Sequence, residues 1–260
     1  MNYISMQKVK AKKFLGQHFL NDESIAEQIA TSLVEKDRYR NILEIGPGMG
    51  VLTKYILQHY PEHLLKAIEI DRESVTYLSE AFPKLEVLNE DFLKMDLTKT
   101  FTEPLALIGN YPYNISSQIV FKTIQHRNII PMMTGMFQKE VAERICAGPG
   151  SKTYGVISVL TQAFYQTEHL FTVSENVFTP PPKVKSGVLR LTRLESDPAC
   201  DTKKLFQVVK QAFNQRRKTL RNSLRSMFEP EQLTAEIFNQ RPERLTVQDF
   251  VDLTNNSKSN

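Results

Sequence analysis

The sequence predicts an α/β protein: a mostly parallel, doubly wound sheet with its ligand cleft at the carboxyl ends of the strands, then a small all-helical domain. Three observations predict it. Short apolar runs alternate with helical periodicity from Asn41 to Ile145, the pattern of repeated strand–helix units. The tips of four successive runs carry Gly46, Glu69, Asp91 and Asn110, and open α/β sheets hold their ligands at such tips. Beyond Ser196-Asp-Pro-Ala-Cys200 the strand signals stop and helical periodicity alone continues. The expected division is a basic arm over 1–20, a sheet domain over 21–197 and a helical domain over 198–260.

Bulk properties narrow the function classes. A chain of 260 residues, 41% hydrophobic and 24% charged, has the size and balance of a soluble globular protein with one large domain and an appendage. No apolar run is long enough to span a bilayer. The first twenty residues are basic but lack the apolar core of a secretory signal, so a cytoplasmic protein is expected. Cys146 and Cys200 are far apart and match no metal spacing, and Pro61 separates His59 from His63; no metal site is expected. The net charge of +4 is unevenly placed. Lys8, Lys10, Lys12 and Lys13 precede the first acid, Asp22, and eight basic residues with no acid lie between Lys203 and Met227. These two stretches hold 12 of the 33 Lys and Arg, leaving 21 basic against 29 acidic residues elsewhere. Cationic ends on an otherwise acidic chain point to a polyanion, nucleic acid first.

The arm ends in Phe14-Leu-Gly-Gln-His-Phe-Leu20, apolar enough to pack. Asn21 or Asp22 caps a helix over about 22–35, with Ile25, Ile29 and Leu33 on one face. Asn41-Ile-Leu-Glu-Ile-Gly-Pro-Gly-Met-Gly50 then reads as strand, glycine turn and helix start. Its G-x-G-x-G departs from the dinucleotide fingerprint, because Val51 stands at the last glycine position. Lys66-Ala-Ile-Glu-Ile-Asp71 is the second strand. An acid at that tip, Glu69 or Asp71, is placed for a ribose diol. Leu85–Leu88 is the third, ending in Asn89-Glu-Asp-Phe92; Asp91 is placed to accept from an adenine amine, with Phe92 beside the ring.

Leu105–Ile108 is the fourth strand, and Ile108-Gly-Asn-Tyr-Pro-Tyr-Asn114 is its loop. Asn110 offers an amide oxygen, Tyr113 an aromatic face, and Pro112 stiffens the turn. Such a set holds a planar base by its exocyclic amine. First and fourth strands should flank the topological switch, so Gly46 and Asn110 are expected on one cleft; if they opened onto separate surfaces, the reading would fail. Ile115–Gln125 reads as a helix, Ile129–Phe137 as a strand, Gln138–Ile145 and Gly155–Phe164 as helices, and Glu168–Val173 and Gly187–Leu194 as strands. Phe178, before the rigid Pro180-Pro-Pro182 run, is placed either to close over a bound base opposite Tyr113 or to plug the core. On a helix through Phe213–Met227, Phe213, Leu220, Leu224 and Met227 share a face bordered by Arg217, Lys218, Arg221 and Arg225, a stripe suited to phosphates.

These motifs together resemble the class I S-adenosylmethionine-dependent rRNA adenine N6,N6-dimethyltransferases, a Rossmann-like family, and within it the bacterial 16S branch linked to kasugamycin resistance. The resemblance runs through Gly16-Gln-His-Phe-Leu20, Glu44-Ile-Gly-Pro-Gly-Met-Gly50, Glu69-Ile-Asp71, Glu90-Asp91, Asn110-Tyr-Pro-Tyr113, Phe178-Thr-Pro-Pro-Pro-Lys183 and Phe213-Asn-Gln-Arg-Arg-Lys218. It implies that the last strand is antiparallel and that the cofactor is S-adenosyl-L-methionine. His18 and Leu20 would close the cofactor site, Gly46 would contact the methionine part, Glu69 the ribose and Asp91 the adenine. Asn110 and the main-chain carbonyl of Tyr111 would receive the target amine while Tyr113 stacks on the target adenine. The family usually has Asn where His18 stands and Leu where Tyr111 stands. The implied substrate is a pair of adjacent adenosines in a hairpin near the 3′ end of 16S rRNA, in the small subunit or its precursor, modified by a monomer. Rival readings are a methyltransferase for adenine in 23S rRNA or DNA, and a non-catalytic RNA-binding assembly factor.

Overall fold

The computed structural model describes residues 9–215 and 217–258; Lys8 of the arm and Arg216 of the cationic stretch lie outside them. Nine strands are present among the described residues: β1 (Phe19–Leu20), β2 (Asn41–Ile45), β3 (Leu64–Ile68), β4 (Glu86–Leu88), β5 (Leu105–Asn110), β6 (Met132–Gln138), β7 (Tyr165–Val173), β8 (Phe178–Thr179) and β9 (Ser186–Arg193). Seven form one sheet in the order β4-β3-β2-β5-β6-β9-β7. β2 pairs in parallel with both β3 and β5, so the sheet reverses its direction of growth between β2 and β5. β5 and β6 are parallel, and β9 returns antiparallel to β6.

The central strands β2 and β5 are buried on both faces because both faces of the sheet are covered there. All five residues of β2 are buried, as are Leu105–Gly109 of β5. A core cluster joins Ile42, Ala106, Ile108, Met132 and Val188 of the sheet to Ala26, Ile29 and Ala30 of the helix Glu23–Ala30. That helix starts where Asp22 accepts a hydrogen bond from the Ile25 N–H at 3.0 Å, an ordinary N-cap. The helix Ser116–Gln125 follows the Asn110–Asn114 loop directly.

A second, two-stranded sheet was not legible in the sequence. β1 pairs antiparallel with β8, Phe19 opposite Thr179 and Leu20 opposite Phe178. It fastens the end of the basic arm to the segment before the proline run.

By compactness the chain divides into two units: residues up to Ala142 with Glu168–Arg193, and Glu143–Thr167 with the residues from Leu194 onward. Residues 143–167, with the first residues of β7 at their end, thus fall in the same unit as the C-terminal helices. Their helix Val156–Gln162 buries Ile157, Val159 and Leu160 and packs on the helix Thr202–Asn214.

The single helix expected through Phe213–Met227 is broken. The helix Thr202–Asn214 stops at Gln215, whose ψ of 56° is not helical. Thr219 is extended, a short helix spans Leu220–Ser223, and a single 3-10 turn spans Arg225–Met227. A run of cations with no acid at i±4 gives a helix no side-chain support, and the Leu220 N–H donates instead to the Gln240 carbonyl at 2.8 Å. Phe213 stacks on Phe250 with centroids 5.8 Å apart, while Leu220 and Leu224 are fully buried.

Candidate active site

One cavity opens at the carboxyl ends of β2, β3 and β5. His18, Leu20, Gly46, Glu69, Asn110, Tyr111 and Tyr113 all line it. So do residues given no site role from the sequence, including Gln17, Glu44, Val51 and Ile70. Gly46 and Asn110 face each other: a Cβ added to Gly46 would lie 3.7 Å from the Pro112 ring and 4.0 Å from the Asn110 carbonyl oxygen.

The glycine turn is shaped by close approach. Gly48 has φ +57°, and a Cβ there would lie 2.9 Å from the Phe19 ring, a conformation and a gap that suit glycine alone. Its N–H donates to Glu69 Oε2 at 3.3 Å, and the Asp71 N–H donates to Glu69 Oε1 at 2.9 Å. Glu69 is 5% exposed. Burial raises its pKa, against the pull of those N–H donors. Each carboxylate oxygen keeps lone pairs for a further donor. Burial alone would raise the pKa of Asp71, but hydrogen bonds from Lys12 and Gln17 hold it below the ordinary value. Lys12 also reaches Glu73, at 3.1 Å, so the arm is clamped beside the cavity by charge.

Glu44 is fully buried at the cavity wall. Thr53 Oγ1 donates to its Oε2 at 2.6 Å, while Oε1 has no partner among the described residues. Desolvation pushes its pKa up to about 8, with the Glu69 charge adding to it, so at neutral pH the carboxyl is mostly protonated.

Asn110 ends β5. Its Nδ2 donates to the His18 carbonyl oxygen at 2.9 Å, and that assignment turns Oδ1 the other way as an acceptor. The Tyr111 ring is buried over Gly135 and its hydroxyl donates to the Thr134 carbonyl at 2.8 Å. Its side chain belongs to the core, so its main chain is what it offers the cavity. The Tyr113 hydroxyl bonds the buried Ser186 hydroxyl, which holds the ring upright; burial raises its pKa. The His18 ring lies at 29° to the Tyr113 ring, centroids 5.6 Å apart. His18 Nδ1 lies 2.8 Å from the Pro180 carbonyl, which can only accept, so that nitrogen is the donor.

Two expected site residues do not line the cavity. Asp91, at the tip of β4, accepts from the Leu93 N–H at 2.9 Å and pairs with Lys94 at 3.6 Å; Phe92 is buried at 4% exposure. Phe178, for which the sequence left open a place over a base or in the core, is 3% exposed and packs in the core cluster with Leu20, Ile29 and Val173, its strand paired with β1. No cluster of three or more metal-ligating side chains occurs among the described residues.

In the second unit Arg217, Lys218, Arg221 and Arg225 are all exposed. Arg217 lines a surface concavity with Lys152, Arg241, Glu243 and Arg244. Arg241 and Arg244 escaped the sequence reading because Glu243 sits between them. No helix among the described residues is long and apolar enough to cross a membrane.

A model of the family described as ribosomal RNA adenine dimethylase matches residues 8–258. Over 254 residues the chain is 59% identical to the ribosomal RNA small subunit methyltransferase A of Flavobacterium johnsoniae, covering 96% of each. It is 56% identical over 256 residues to that of Bacteroides thetaiotaomicron, covering 96% of this chain and 95% of the relative. Among solved structures it is similar to a dimethyladenosine transferase from Plasmodium falciparum, at 25% identity and TM-score 0.77, covering 92% of this chain and 99% of that one. It is similar also to the 23S rRNA methyltransferase ErmE, at 25% identity and TM-score 0.70, covering 91% and 99%.

Proposed function

The chain belongs to the ribosomal RNA adenine dimethylase family, and on that premise we propose that it transfers methyl groups from S-adenosylmethionine to the N6 amines of two adjacent adenosines in a hairpin near the 3′ end of 16S rRNA. The observation that carries this reading is that Gly46 and Asn110 line the same cavity from facing strand tips. A methyl donor held at the glycine turn and an amine held at Asn110 can then meet in line.

The donor's fit rests on the chain's own groups. The Gly48 turn lets backbone approach a ligand, Glu69 keeps acceptor capacity for ribose hydroxyls, and Glu44 Oε1 is a buried polar atom without a partner among the described residues. S-adenosylmethionine supplies a sulfonium methyl that is already electrophilic, so positioning and desolvation outweigh acid–base work. Gly46 bounds the methionine end, Leu20 and His18 cover the site, and Asp91 reads the adenine from the tip of β4. Asn110 Oδ1 and the Tyr111 carbonyl accept the two N–H bonds of the target amine. This draws the nitrogen lone pair out of the ring and aims it. Tyr113 holds the ring plane by stacking. The target base must leave its stack first, and in a hairpin loop that costs little.

The second unit docks on RNA. Arg217, Lys218, Arg221 and Arg225 meet phosphates, with Lys152, Arg241 and Arg244 extending the cationic surface. The protein works as a cytoplasmic monomer on the small subunit or its precursor. Labelled S-adenosylmethionine offered to immature small subunits, naked rRNA and DNA tests the reading. Label in N6,N6-dimethyladenosine at adjacent positions of 16S rRNA is expected; label in 23S rRNA or DNA, or none anywhere, overturns it.

A further inference from the structure

We propose that Lys122 is a positioning residue for methyl transfer: it locks the loop after β4, and so fixes Asp91 for reading the cofactor's adenine. The inference rests on the assignment of Asp91 made above and extends it to a residue on another element.

Lys122 lies on the helix Ser116–Gln125 and is only 7% exposed. A buried lysine ordinarily sits against a carboxylate. Among the described residues this one forms no ion pair. Its ammonium donates to three carbonyls of one short loop: Phe92 at 2.6 Å, Leu93 at 3.2 Å and Met95 at 2.5 Å. Those bonds use all three donors of the group. The ammonium also sits over the Phe92 ring, 5.0 Å from its centroid. Burial lowers its pKa, with Asp91 and Asp96 pulling the other way.

The loop so held is wound on Asp91. The Lys94 and Met95 N–H groups donate to the Asp91 carbonyl at 2.9 and 3.0 Å, and the Leu93 N–H donates to its carboxylate. The direction of the carboxylate is therefore set by the course of residues 92–95, and that course is set by Lys122. The same helix begins immediately after the Asn110–Asn114 loop. One rigid element thus joins the residues that receive the target amine to those that read the cofactor base. Charge-assisted bonds to carbonyls are strong, and removing the ammonium deprives three carbonyls at once.

The test uses the full chain with Lys122→Met, which keeps the length but no donor, and Lys122→Gln, which keeps an amide donor. Calorimetry measures affinity for S-adenosylhomocysteine and for S-inosylhomocysteine, whose 6-oxo group cannot donate to Asp91; kcat and KM are measured alongside. In Lys122→Met, KM for S-adenosylmethionine should rise about tenfold with kcat retained at saturation, and the preference for the adenosyl over the inosyl ligand should fall about tenfold. Lys122→Gln should recover part of that preference. Equal weakening of both ligands, or an intact preference, overturns the inference. If Lys122→Met does not fold, Lys122→Gln decides: a reduced preference supports the inference and a full one overturns it. Asp91→Ala in the same assays separates the two claims. If it abolishes the preference while the Lys122 variants keep it, only the inference about Lys122 falls. If it leaves the preference intact, the assignment of Asp91 itself falls.

Discussion

The side-chain amide of Asn110 donates to the main-chain carbonyl of His18 at 2.9 Å, so a strand tip and the end of the basic arm orient one another. With Nδ2 committed, Oδ1 is the atom left for the target amine. Asn110→Ala should lower kcat by about a hundredfold or more, the scale seen when a positioned transition-state partner is removed. Calorimetric binding of S-adenosylmethionine should persist. Equal loss of binding and turnover would show that the residue serves the cofactor instead.

Tyr111 belongs to the core by its side chain. Tyr111→Phe strips the donor from the buried Thr134 carbonyl and should cost about 1–2 kcal/mol in urea unfolding. Activity below the melting range should survive, because the proposed role uses the main chain. A collapse of kcat in a folded variant would give the hydroxyl a part in the chemistry.

Glu44 links stability to pH. Its folded pKa of about 8 stands above the ordinary 4.5, so between those values the native state keeps a proton that the unfolded chain has released. Its contribution therefore falls as pH rises through that window and levels off above it, by roughly a few kcal/mol at most. Urea unfolding of wild type and Glu44→Gln near pH 5 and near pH 8 should show the variant gaining relative stability at the higher pH. No relative change would mean that the carboxyl is solvated or already ionised.

Phe178 packs in the core. Phe178→Ala should cost about 3–5 kcal/mol of stability. Phe178→Leu should cost less and keep methyl transfer near wild type. A stable Phe178→Leu protein with strongly reduced kcat would return the ring to the base site.

Neutralising Arg217, Arg221 and Arg225 together should weaken RNA binding and flatten its salt dependence. The slope of log Kd against log salt should shrink by about 0.7–0.9 per lost phosphate contact. An unchanged slope would remove these side chains from the interface.

Local pattern carried most of this protein. Alternating apolar runs located the strands of the main sheet. Glycines and polar residues at their ends marked Gly46, Glu69, Asp91 and Asn110, and the central pairing of β2 with β5 follows from strand order once those runs are known. Such signals are legible because strand and turn preferences act over a few neighbouring residues. Other features depend on residues that meet only in the folded chain. Phe19-Leu20 and Phe178-Thr179 make a sheet too short to show in either segment alone, and that pairing turned Phe178 inward. Residues 143–167 joined the second unit because their apolar helix found its partner in Thr202–Asn214. Lys122 lies within the helix read over Ile115–Gln125 with nothing local to mark it, and it holds three carbonyls of the loop after β4. The sequence by itself determined the order of elements and which residues stand at the strand tips; only the tertiary structure decided which side chains face the cavity, since burial and pairing are set by neighbours far away along the chain.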